Sequence, residues 1–268
     1  LKAGLFDRAE ELFSSLDQSR YQQPALRALL EIYVRESEWH RAVKVATELE
    51  RISGIPFRKE IAQYYCEMAV KSILDQDLHT ARHELEMALD ANKNCVRANI
   101  MLGEMEANNK AHKMAIGFWK RIEFQNPAFL GIVAHKLLNS YREIGELEEG
   151  VNLLKQYAQT YKLPSLMAVV FEITLAEEGA DSAVKMAIDE LERKPSLQTL
   201  DQLLKARGLQ AEPNTDNGLM QQTVRYAIGN RSAYCCEQCG FKARNFHWQC
   251  PACNAWEALP AELKETTL

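Results

Sequence analysis

Four cysteines near the C-terminus have the types and spacing to do chemistry. They stand as Cys236-Glu-Gln-Cys239-Gly240-Phe241 and Cys250-Pro-Ala-Cys253-Asn-Ala-Trp256, two C-x-x-C hooks with ten residues, 240–249, between them. Two such hooks supply four thiolates to one tetrahedral metal, and zinc is the ion that four sulfurs ordinarily hold. Each hook needs a turn after its second cysteine in which the backbone passes through left-handed space. Gly240 and Asn254 occupy those positions, and Gly and Asn tolerate that conformation best. Pro251 stiffens the second hook by fixing its own backbone angle. Cys236, Cys239, Cys250 and Cys253 are therefore the predicted metal ligands. Cys235 adjoins Cys236 and competes with it, but only Cys236 reproduces the spacing of the downstream pair, so Cys235 is read as a bystander. A site closed by four sulfurs leaves the metal no open position, which points to structure rather than catalysis.

Other chemistry is sparse. The sequence contains no Gly-rich phosphate loop, no nucleophile elbow and no H-E-x-x-H. His79 and His83 share a helix face at i, i+4, but no third ligand is spaced to join them, so they read as solvated. The run Glu146, Glu148, Glu149 reads as a solvated turn. Cys66 and Cys95 lie in helical patterns and read as small buried apolar residues. Trp248 and Trp256 flank the second hook. A module too small to bury a core of its own uses such rings to cover its metal or to dock on a neighbour.

The chain has 268 residues, 32 basic and 37 acidic, with seven cysteines, mostly in metal spacing, as in a reducing compartment. The acidity belongs to 1–229, which holds 28 basic and 33 acidic residues, and an acidic body does not suit nucleic acid. The alternative function, a zinc-ribbon nucleic-acid binder with protein-recruiting repeats, meets the same difficulty. Residues 230–258 carry three basic and two acidic side chains, and a divalent metal on four thiolates adds about two negative charges. No run of about 18 apolar residues spans a bilayer.

What positions the hooks is a repeat. Gly4-Leu5-Phe6-Asp7-Arg8-Ala9 is answered by Ser37-Glu38-Trp39-His40-Arg41-Ala42 and by comparable stretches ending at Ala81, Ala115, Gly150 and Ala183. These small residues are separated by 33, 39, 34, 35 and 33 positions. A period near 34, closed by a small residue where two helices pack, is the tetratricopeptide pattern. Leu29, Tyr33, Leu102, Gly103, Leu137 and Tyr141 fall on first helices; Phe13, Leu85, Trp119 and Leu154 fall on second helices. The spacing of 39 places a longer loop at Gly54-Ile55-Pro56. The predicted fold is mostly α, a right-handed tetratricopeptide solenoid with a small C-terminal rubredoxin-type domain. Its expected parts are repeats over 1–212 with a truncated first repeat, a capping helix over 213–229, the knuckle over 230–258 and a tail over 259–268. Within these, one helix over 196–207 stops at Gly208, and another runs over 219–228. The chain begins at Leu1 in mid-repeat, so an upstream segment is expected. The familiar layout turns Arg27, Glu31, Arg35, Arg97, Glu104, Asn139 and Arg142 toward a concave, protein-binding groove. Only a short connection follows the last helix, so the knuckle is expected to fold back on the terminal repeats and bury at least one tryptophan.

With Tyr-Cys-Cys-Glu-Gln-Cys-Gly-Phe and Trp-Gln-Cys-Pro-Ala-Cys-Asn-Ala-Trp after such repeats, the chain resembles the lipopolysaccharide assembly protein B (LapB) family of Gram-negative bacteria. The likeness extends to Ala3-Gly4-Leu5-Phe6-Asp7-Arg8-Ala9-Glu10 and Ser37-Glu38-Trp39. Cys235, where that family usually has another residue, is a departure. The resemblance implies a non-enzymatic adaptor at the cytoplasmic face of the inner membrane, anchored by an N-terminal helix. It implies action with the membrane protease FtsH to promote degradation of LpxC, the deacetylase that commits precursor to lipid A. The four-cysteine spacing predicts one zinc ion, and whether iron replaces it in vitro is left open. Further lipopolysaccharide assembly proteins are candidate partners, an oligomer is open, and nucleic acid is not expected.

Overall fold

The structure, a computed structural model, describes residues 10–12, 21–210 and 215–265. The expected turn at Gly4–Ala9 and the position of Phe13 lie outside them. Elsewhere the repeat shows itself as a backbone device. Ser37, Gln76, Lys110, Gly145 and Gly179 all have positive φ, between 60° and 88°. Each stands at the turn into a second helix, and a left-handed residue there reverses the chain tightly enough for two helices to lie side by side. Three of the five are not glycine, so Ser37, Gln76 and Lys110 adopt that conformation at a steric cost.

The small residues expected at the helix–helix approach are buried: Ala42, Ala81, Ala115 and Ala183 are each 0% exposed. Gly150 has a reason to lack a methyl group. A Cβ there would lie 2.8 Å from Cβ and Cγ of Tyr141, whose ring fills the space.

The chain divides at Lys110 into two units. The first contains α1 (Gln22–Arg35), α2 (Trp39–Ser53), α3 (Arg58–Leu74), α4 (Leu78–Ala91) and α5 (Val96–Asn108). Successive helices pack on one another, and residues 54–57 form the longer loop expected around Pro56. Asp77 caps α4: its carboxylate accepts from the Thr80 hydroxyl at 2.6 Å and from the Thr80 backbone N–H at 3.0 Å, and these bonds hold it below the usual range. Ring stacking of Trp39 on Tyr64, with centroids 5.7 Å apart, ties α2 to α3.

The second unit contains α6 (His112–Lys120), α7 (Ile122–Gln125), a 3-10 turn at Pro127–Phe129, α8 (Leu130–Glu143), α9 (Leu147–Tyr161), α10 (Pro164–Glu177), α11 (Ala180–Arg193), α12 (Leu197–Gln210) and α13 (Thr215–Arg231). Its core includes Trp119, Leu137, Leu154, Tyr157 and Phe171, each 1% exposed. Glu123 accepts hydrogen bonds from both Tyr157 and Tyr161 at 3.0 Å, joining α7 to α9. No helix among the described residues is long and apolar enough to cross a membrane.

Two boundaries differ from the sequence expectation. Helix α12 does not stop at Gly208 but continues to Gln210. A Cβ at Gly208 would lie 3.3 Å from the Asn217 amide, so the glycine makes room for α13 rather than ending α12. Helix α13 begins at Thr215, not Leu219, despite its Asp-Asn-Gly start. Packing on α12 overrides that weak local preference: the Asn217 amide donates to the Leu204 carbonyl at 3.4 Å, and Arg225 pairs with Asp201 at 3.0 Å. Because α13 runs to Arg231, it meets β1 (Ser232–Cys235) with no linker between them.

β1 is the middle strand of a small antiparallel sheet. β2 (Lys242–Ala243) pairs with it through Tyr234↔Ala243, and β3 (Lys264–Glu265) through Ala233↔Lys264. Residues 259–265, expected as a tail, therefore close the module. Leu259 is 0% exposed and packs with Cys236, Ala243, Cys250 and Ala258.

Candidate metal centre

The two hooks fold as matching loops. The Cys236 backbone N–H donates to the Phe241 carbonyl at 2.8 Å, and Gly240 N–H donates to the Cys236 carbonyl at 2.9 Å. Fourteen residues on, Cys250 N–H donates to Ala255 at 2.8 Å, and Asn254 N–H donates to Cys250 at 2.9 Å. Gly240 has φ +74° and Asn254 φ +60°, the left-handed positions that the residue types demanded. A bridge between Gln249 and Trp256 and a bond from Glu257 N–H to the Trp248 carbonyl at 2.7 Å close the second loop.

These turns bring Cys236, Cys239, Cys250 and Cys253 together, with all four Sγ atoms within 4.8 Å of one another. Cys236 Sγ lies 3.7 Å from Cys253 Sγ, and Cys239 Sγ lies 3.7 Å from Cys250 Sγ. A zinc ion with sulfurs at about 2.3 Å in a tetrahedron sets its S···S edges at about 3.8 Å, whereas a disulfide requires about 2.05 Å. The donor set and its size fit a four-thiolate metal centre. Burial pushes the Cys236 thiol up, but the Cys239 and Gln238 backbone N–H groups outweigh it and bring the pKa to about 7. Cys239 and Cys253 shift the other way, the pull of the Phe241 and Ala255 backbone N–H groups being outweighed by burial and by hydrogen bonds among the sulfurs, so a bound cation would be what deprotonates them. Cys235 lies in β1, outside the cluster. Cys66 and Cys95 are both fully buried in the first unit, where burial drives the Cys66 thiol well up.

The second unit holds the module through an aromatic stack and a helix cap. Phe129, 5% exposed, stacks on Trp248 with ring centroids 5.3 Å apart and planes 9° from parallel. Phe246 meets both rings edge-on and is itself met by Tyr234. The Glu262 carboxylate reaches the start of α10, where it accepts from the Ser165 backbone N–H at 3.1 Å and from the Ser165 hydroxyl. Gly131 on α8 makes this approach possible, since a Cβ there would sit 1.8 Å from Ser165 Oγ and 3.3 Å from Glu262 Oε1. The module thus docks at the beginnings of α8 and α10. Trp248 and Trp256 are each half-buried.

Phe129, Ser165 and Glu262 went unnoticed in the sequence. The N-cap of α10 is Leu163, whose side chain has no group to cap with, but that gap does not name the distant residue that fills it. A helix start without a local cap needs a partner from elsewhere.

The predicted groove residues divide by unit. In the first, Arg27, Glu31 and Arg35 are exposed on α1, and Glu104 is half-buried on α5. Arg97 is 7% exposed and bonds to Glu67 at 2.8 Å and Gln63 at 3.3 Å, so it is part of the interior. In the second, Asn139 and Arg142 are exposed, joined at 2.9 Å, and line a cavity of about 210 Å³ between α8, α9 and α10. His79 and His83 are exposed on α4 and join no metal-ligating group among the described residues.

Tetratricopeptide-like helix pairs carrying a docked four-cysteine module define a repeat scaffold with a candidate metal site. Residues 234–260 match the family model described as the rubredoxin metal binding domain. Lipopolysaccharide assembly protein B of Escherichia coli K12 is 28% identical over 263 residues, covering 97% of this chain and 68% of that protein. The protein of the same name from Haemophilus influenzae is 27% identical over 260 residues, 96% of this chain and 65% of its own length. The chain is therefore similar, over nearly its whole length, to the lipopolysaccharide assembly protein B family. Among solved structures, that of PilF from Pseudomonas aeruginosa is 12% identical with a TM-score of 0.44, covering 78% of this chain and 90% of that one.

Proposed function

We propose that this chain is a non-enzymatic adaptor in the control of lipopolysaccharide assembly. In this reading it promotes degradation of the deacetylase LpxC by the membrane protease FtsH, at the cytoplasmic face of the bacterial inner membrane. The observation that carries it is similarity over repeats and cysteine module together, which match proteins named for lipopolysaccharide assembly over 263 residues. The chemistry supports the same reading, because four thiolates satisfy a zinc ion and leave no place for substrate. Zinc's part is then to hold Trp248 and Glu262 where they meet the repeats, presenting module and helices as one surface. Charged residues exposed on the repeats, among them Arg27, Glu31, Arg35 and Arg142, are available for recognition.

The test is replacement of the resident lipopolysaccharide assembly protein B in a Gram-negative host by the full-length protein containing this chain. Deacetylase levels should return to normal, and the protease should co-purify with the chain from membranes. A deacetylase that stays at the depleted-strain level, with the chain stably expressed, overturns the proposal.

A further inference from the structure

A second concavity lies away from the cysteines, among α9, α10 and α11. Its volume is about 400 Å³, within the range of small-molecule sites. The floor is apolar: Ala158 from α9, Met167 and Val170 from α10, and Met186 from α11. Two methionines give it an adaptable, polarizable surface that accepts a flexible chain without a fixed shape.

The rim is cationic, in a protein whose net charge is −5. Lys155, Lys162 and Arg193 border the cavity, against a single carboxylate, Glu190. Arg193 is paired with Glu190, and Lys155 with Glu178 at 2.8 Å. Lys162 is exposed just beyond the end of α9 at φ +51° and forms no ion pair among the described residues. The rim therefore offers one uncompensated positive charge beside an apolar floor. We infer that this cavity binds a single-chain anionic amphiphile, its aliphatic chain on Met167, Val170 and Met186 and its carboxylate or phosphate head on Lys162. The floor excludes a small inorganic anion as the preferred ligand, since such an ion gains nothing from apolar walls. The rim disfavours a cationic amphiphile of the same length. This inference does not depend on the adaptor reading, because binding is read on the purified chain alone.

The experiment is isothermal titration of the metal-loaded chain with monomeric dodecanoate and dodecyl phosphate, below the concentrations at which they form micelles. Dodecanol, dodecyltrimethylammonium and inorganic phosphate serve as comparisons. Both anionic amphiphiles should bind at one site, more tightly than the neutral or cationic chain, with no measurable binding of phosphate alone. The relative affinity of carboxylate and phosphate heads distinguishes a fatty-acid ligand from a phospholipid-derived one. Lys162→Glu should weaken both at least tenfold while leaving the helical spectrum and melting temperature unchanged. Val170→Trp, which fills the floor, should abolish binding; where it also lowers folding stability, the Lys162→Glu result stands by itself. Equal binding of dodecanol, unchanged affinity in Lys162→Glu, or no binding of either anionic amphiphile would overturn the inference.

Discussion

At the scale of residues, the choice between Cys235 and Cys236 is decided by which sulfur the turn delivers. Cys236 begins the hydrogen-bonded loop that closes at Phe241, and its sulfur lies 3.7 Å from that of Cys253. Cys235 still belongs to the strand, paired opposite Lys242. Cys235→Ala should therefore keep one equivalent of metal, while Cys236→Ala and Cys253→Ser lose it. Metal content by mass spectrometry checks this, and equal loss from Cys235→Ala and Cys236→Ala would shift the first hook by one residue. The two adjacent thiols differ in no property that a sequence displays beyond spacing. It was the repeat of the C-x-x-C interval that made the ligand set legible.

Among the elements, α10 shows a secondary-structure boundary completed by distant sequence. Its N-terminal turn receives a carboxylate from Glu262, 97 residues downstream. An N-cap oxygen contributes about 1 kcal/mol, so Glu262→Ala should lower the stability of the second unit by about that amount. Glu262→Gln, which keeps an acceptor oxygen, should lose less. Chemical denaturation followed by circular dichroism reads both, and identical curves for wild type and Glu262→Ala would show that α10 needs no such cap. The same reasoning explains why the ends of α12 and α13 differ from the sequence expectation. Gly208 and Gly218 look like punctuation in a one-dimensional reading, yet both lie within helices because α12 and α13 pack against each other. Helix interiors were legible from periodicity, whereas ends depended on neighbours the periodicity does not name.

For the whole molecule, a metal bound by the four cysteines would support more than its own loops. Among the described residues the module's core has five buried side chains, two of them candidate ligands, too few to fold unaided, so a bound metal would supply its folding energy. Chelation should release Trp248 from Phe129 and Glu262 from Ser165 together. An aromatic pair and a helix cap contribute about 1 kcal/mol each, which corresponds to a fall in helical melting temperature on the order of 5 °C for a unit of this size. A strong chelator added before a thermal scan at 222 nm measures it. An unchanged helical transition after complete metal removal would mean that the module is merely tethered.

The sequence by itself determined the candidate ligand set, the helix-pair repeat and the order of the two, because each is a local code: cysteine interval, helical period, small residue at the close approach. Ser37, Gln76 and Lys110 show the limit of that code, since only the folded backbone reveals that they share a positive φ with Gly145 and Gly179. The docking site was decided by tertiary structure alone. Nothing near Cys250 says that its neighbour Trp248 will lie on Phe129, and nothing near Ser165 says that Glu262 will arrive. Such contacts depend on where the fold brings two surfaces together, and an aromatic ring or a carboxylate has the same local signature whether it meets water or a partner distant in the chain.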